Sequence, residues 1–116
     1  MPRVPLDISF EIPHALSVEE AARRVETAAA DLARSWARWN VTTDRTPGGE
    51  LRVKGHKGEA RFEATLATAA GRVVVKVAGA LELSLLEIAF VRGESGVRDR
   101  VRKEVTKIVT TSLEAP

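Results

Sequence analysis

The chain has no cysteine, which excludes disulfides and thiolate metal sites and fits a reducing compartment. Aromatic residues are scarce: Trp36, Trp39, Phe10, Phe62 and Phe90 are the whole set. Charge of one sign is also lacking. Eighteen Lys and Arg stand against 16 Asp and Glu, a formal net charge of +2, too little to gather nucleic acid by a long-range field. No long uncharged apolar run occurs. The most hydrophobic stretch, residues 73–91, approaches the roughly 20 residues of a membrane span. It contains Lys76, Glu82 and Glu87, each costing about 2.5–3.5 kcal/mol mid-span, so a buried strand is expected and transmembrane insertion is not. The opening MPRVPLDISF has no apolar run of signal-peptide length, and the expectation is a cytoplasmic protein.

What is present is the composition of one globular domain spanning 1–116, with 44% hydrophobic and 29% charged residues. From Leu6 to Ile12 apolar and polar residues alternate, the mark of a half-buried strand. Pro13 ends it. Ser17, with Glu20 three residues later, is a capping box that opens a helix. In that helix Val18, Ala22, Val25, Ala29, Leu32 and Trp36 form an apolar stripe flanked by Ala21, Ala28 and Trp39, and Glu19 with Arg23 and Glu20 with Arg24 are set for i,i+4 ion pairs. After Asn40 the period becomes two. A hairpin turn is expected at residues 46–49 and a second at Gly55-His56-Lys57-Gly58. Beyond it Ala60, Phe62, Ala64 and Leu66 alternate with polar residues, and a valine-rich strand starts at Arg72. Gly79 in that strand marks a bulge or a close backbone approach. Leu81–Phe90 changes phase and predicts a break. Residues 92–96 read as a loop with Ser95 as N-cap of a last helix carrying Val97, Val101, Val105, Ile108 and Val109. The order β-α-β-β-β-(β)-α predicts an α+β two-layer sandwich: an antiparallel sheet of four to five strands packed by two helices.

Candidate chemistry is thin. His14 and His56 lie far apart, each beside a turn, without a second imidazole or carboxylate at metal-ligand spacing, and no serine or threonine sits in a nucleophile motif. No enzyme activity, metal or cofactor is therefore expected. The Gly55-x-x-Gly58 spacing suits a phosphate-cradling loop, but flanking strands make a hairpin turn the favoured reading. Trp36 and Trp39 have the geometry to stack on a ligand, yet their place on the apolar helix face points to the core. Arg100, Lys103 and Lys107 form a basic row on the last helix, interleaved with Asp99 and Glu104, so a solvated face is the default over an anionic partner. Leu83, Leu85, Leu86, Ile88 and Phe90 would make an adsorption or self-association strip if uncovered.

His14-Ala15-Leu16-Ser17 ahead of an alanine-rich helix resembles the opening of the polyhydroxyalkanoic acid system family, small bacterial proteins linked to polyester storage granules. Trp39 before the first hairpin, the Gly55-x-x-Gly58 pair and the apolar segment running into a terminal amphipathic helix are similar too. The first hairpin is longer here, and extra residues precede the last helix. The resemblance implies a non-enzymatic accessory protein acting at a hydrophobic granule surface or with granule proteins; from the residues, the apolar strip is the expected contact surface, and a homo-oligomer is expected. The alternative is a small helix-grip module holding an apolar molecule between sheet and helix, completed by a dimer partner.

Overall fold

The computed structural model describes residues 3–58, 60–82 and 93–115, and of these the side chains of 5–58, 60–80 and 96–115. Strands β1 (Arg3–Pro13), β2 (Thr42–Arg45), β3 (Leu51–Lys57), β4 (Ala60–Ala69) and β5 (Arg72–Glu82) form one sheet in the order β1-β5-β4-β3-β2, antiparallel throughout. Helices α1 (Val18–Ser35) and α2 (Gly93–Glu114) cover one face of it. The chain is thus the two-layer α+β fold that its periodicities predict.

The strict alternation of β1 and β4 sorts their side chains. Leu6, Phe10 and Ile12, then Ala60, Phe62, Ala64 and Leu66, are buried, while Asp7, Ser9, Glu11, Arg61 and Glu63 face solvent on the open side. Val53 of β3 and Val73, Val75 and Val77 of β5 complete the sheet side of the core. The helix side comes from Ala21, Val25, Ala28, Ala29 and Leu32 of α1 and Val97, Val105, Val109 and Leu113 of α2.

Four expectations need correcting. The buried stripe of α1 is rotated: Ala21 and Ala28 are fully buried, whereas Val18 is 41% exposed and Ala22 only half-buried. Alanines let the helix sit close to its neighbours, so the small side chains, not the largest, mark the contact line. Arg23 pairs with Glu20 rather than Glu19, and Glu20 also takes Arg24 at 2.9 Å. The Gly55–Gly58 segment is not all turn, because β3 continues through Lys57 paired to Ala60. Finally, α2 begins at Gly93, inside the stretch expected to be loop.

The two helices run in opposite directions. Arg24, near the start of α1, donates to the carbonyl oxygens of Ser112 and Leu113 at 3.3 Å and also to that of Ala115. It thereby satisfies carbonyls that the end of α2 leaves without intrahelical partners. Ser17 caps the other end of the same corner, its Oγ accepting from the Glu20 amide at 3.1 Å. The start of α2 accordingly lies toward the end of α1 that carries Trp36.

Candidate functional site

The residues with most to offer chemically gather at the end of the sheet where α1 stops. Trp36 caps α1, and a single 3-10 turn, Ala37–Trp39, then reverses the chain, closed by Asn40 in the left-handed region at φ 50°. The asparagine side chain holds that turn by donating to the His56 carbonyl oxygen at 3.2 Å. Trp36 and Trp39 both meet Phe62 of β4 edge-on, with ring centroids 5.2 and 5.8 Å apart and interplanar angles of 86° and 69°. Edge-to-face contacts of this kind contribute about 0.5–1.5 kcal/mol beyond area burial.

Two strand glycines make the cluster possible. In register, Phe62 faces Gly55 on β3 and Gly79 on β5. A Cβ on Gly55 would overlap Cε1 of the Phe62 ring, lie 2.8 Å from Cζ and stand 3.1 Å from the Trp39 carbonyl oxygen. The ring and the 3-10 turn therefore occupy the space of the absent side chain. Gly79 has φ +144°, where the Phe62 Cα would be 2.7 Å from an added Cβ, so the close backbone approach expected at this glycine is present.

Trp36 and Trp39 are half-buried rims of this cluster, not the full core residues their helical phase suggests. The physical reason is position: α1 ends where the sheet side is already filled by Phe62. Both tryptophans are brought together with Phe62, which sequence reasoning took only as a core residue of an alternating strand. The signal that could have found it was the pair of glycines in strand-like sequence.

The other candidates are not joined to this site. His14 is a structural pin: its amide donates to the Gly71 carbonyl at 3.0 Å, Nε2 lies 2.9 Å from the Ala69 carbonyl oxygen, and Nδ1 accepts from the Leu16 amide at 3.1 Å. These partners require hydrogen on Nε2 and a bare Nδ1. His56 is exposed on the open face of the sheet beside Arg61. Arg100, Lys103 and Lys107 are exposed on α2, and Lys103 pairs with Asp99 at 3.4 Å. Leu85, Leu86, Ile88 and Phe90 lie outside the described residues, as does Leu83. Among the described residues no group of three or more His, Asp or Glu is placed to hold a metal ion. None of their helices is long and apolar enough to cross a membrane.

Between the sheet and the helices, where a helix-grip module holds its ligand, stand fully buried Leu32, Leu66, Val25, Val53, Val73, Val75, Val105 and Val109. A groove of about 420 Å³ does occur, but on the outside, between the start of α1 and the end of α2, lined by Glu20, Arg23, Arg24, Thr27, Asp31 and Thr111 among others. Its charges answer one another. The Glu20 carboxyl is held below its ordinary range by the Arg24 hydrogen bond, with Arg23 adding to the effect. On β2, Asp44 is likewise lowered by the hydrogen bonds from Arg52, which reach it at 2.6 and 3.0 Å.

No family model, no curated protein and no solved structure matches this chain.

Proposed function

We propose that the protein is a non-enzymatic, cytoplasmic accessory protein that acts through an apolar surface on hydrophobic polyester granules or on the proteins that coat them, and that it assembles with itself. The observation that carries the reading is the polarity of the molecule. Trp36 and Trp39 sit half-buried at one end, while the outward faces of the helices and the open face of the sheet carry charged residues at Glu19, Arg23, Lys103, Lys107, Glu63 and Lys76. β5 runs out at Glu82 at this same end, since Phe62 pairs with Gly79 and Arg61 with Ala80. An apolar contact of this kind draws on buried area at about 25 cal/mol per Å² and is insensitive to salt, whereas a basic-patch complex weakens steeply.

The test is sedimentation with hydrophobic polyester particles at low and high salt. Tryptophan emission is followed in parallel, because Trp36 and Trp39 are the only tryptophans. Salt-resistant binding with a blue shift, abolished in a folded Leu86→Ser, Phe90→Ser double variant, is the expected result. Binding that the double variant retains, or that high salt removes, rejects the reading.

A further inference from the structure

A second surface is specified by the sheet, at its edge. β1 is an edge strand of eleven residues, paired along its whole inner side with β5. The His14 amide bonding to the Gly71 carbonyl sets the phase of that ladder. Even-numbered residues of β1 therefore turn their backbone groups toward β5, and Asp7, Ser9 and Glu11 turn theirs outward. Pro5 and Pro13 share the outward parity, the only one at which proline leaves the ladder intact. Among the described residues no strand pairs with this outer side. The opposite edge, β2, is four residues long with every residue exposed.

We infer that β1 is a self-association edge, pairing antiparallel with β1 of a second copy about a two-fold axis at Ile8. The register follows by elimination. An axis at Asp7 sets that carboxylate opposite its own copy, and an axis at Ser9 sets Asp7 opposite Glu11; like charges directly opposite are destabilising. An axis at Phe10 brings together two Arg102 guanidiniums, each 5.6 Å over its own Phe10 ring. An axis at Leu6 leaves Pro5 without a donor at the centre of the pairing.

The axis at Ile8 places Asp7 opposite Ser9 twice, each pair exchanging both backbone bonds, with Glu11 donating to the Pro5 carbonyl at each end. It sets Ile8, half-buried between buried Leu6 and Phe10, against its own copy in the close, non-hydrogen-bonded arrangement. The acids and prolines thus act as a filter that rejects other registers. Pairing over residues 5–11 is about 24 Å long, so the joint is well below the roughly 800 Å² per partner of a standard interface and the dimer is concentration-dependent.

Sedimentation velocity across a concentration series tests this on the full chain. The parent should dimerise on concentration. Ser9→Pro removes an outward amide at a parity where Pro5 already sits, and should give a monomer with unchanged far-ultraviolet circular dichroism. Ser9→Asp should weaken the dimer, and Ser9→Lys, opposite Asp7 on both sides of the axis, should tighten it about two- to thirtyfold. Because the chain lacks cysteine, an Ile8→Cys variant should also oxidise to a cross-linked dimer, while Thr43→Cys on β2 should not. A parent that stays monomeric throughout overturns the inference. So does a dimer indifferent to all three Ser9 variants. If such a dimer is dispersed by the Leu86→Ser, Phe90→Ser variant, assembly runs through the apolar end, and the edge is refuted while the granule reading stands.

Discussion

Replacing Gly55 by alanine is the sharpest test of how the aromatic end is built. The substitution adds one methyl group and changes no charge. In an open strand it would stabilise by about 0.4–1 kcal/mol, through the unfolded chain's lost freedom. Here the methyl collides with the Phe62 ring and crowds the Trp39 carbonyl oxygen. The ring cannot swing aside cheaply, because Trp36 and Trp39 hold it edge-on from the helix side. Overpacking of this kind costs typically 1–3 kcal/mol, and with both neighbours fixed the upper figure applies, leaving a net loss of about 2 kcal/mol. For a domain of this size that lowers Tm by roughly 8 °C. Guanidinium unfolding followed by tryptophan emission reads both the stability and the cluster itself. Two comparisons isolate the cause. Gly49→Ala, with φ +86° and nothing within 4 Å of its Cβ, should show backbone strain alone, about 1 kcal/mol. Phe62→Leu should do less damage in the Gly55→Ala background than in the parent, with a coupling energy of about 1 kcal/mol. A Gly55→Ala protein that melts within a degree of the parent, or strict additivity with Phe62→Leu, refutes the packing argument.

Trp36→Ala should destabilise by about 2 kcal/mol, less than the roughly 3–5 kcal/mol of a fully buried tryptophan, because the side chain is only partly buried against the core; a loss above about 4 kcal/mol in denaturant unfolding would show that it is core. His14→Ala removes the Leu16 and Ala69 bonds; the Leu16 amide should lose hydrogen-exchange protection, and unchanged protection there would show that the imidazole is not the pin. Acid should weaken the fold in a defined window. Glu20 and Asp44 have folded-state pKa values below their ordinary 4.5 and 3.8, so their contribution is complete above those values and is lost as pH falls below them through the folded-state values. A Glu20→Gln, Asp44→Asn variant should therefore show a flatter acid limb in a pH series of thermal melts, and an acid limb as steep as the parent's would assign acid sensitivity to other groups.

The sequence by itself determined the elements. Period-two alternation in Leu6–Ile12 and Ala60–Leu66, the capping box at Ser17 and Glu20, and the punctuation by Pro13, Gly49 and Gly71 are local signals, set by the chain's own stereochemistry, and they yield the α+β class and its order. Local signals end where contact depends on distant partners. That α1 buries Ala21 and Ala28 rather than Val18 was decided by how closely it docks on the sheet and on α2. That Trp36 is a rim and not core was decided by Phe62, 26 positions onward in the chain, filling the space first. Gly55 and Gly79 read as turn and bulge in sequence, and only strand pairing put Phe62 between them. Arg24 read as half of an i,i+4 pair, yet it also closes the end of a helix 88 positions away. Only the pairing of β1 with β5 gave that strand an inner and an outer side. Periodicity fixes which face of an element is apolar; which neighbour meets that face, and how closely, is fixed by pairings between distant segments, whose closure no local pattern encodes.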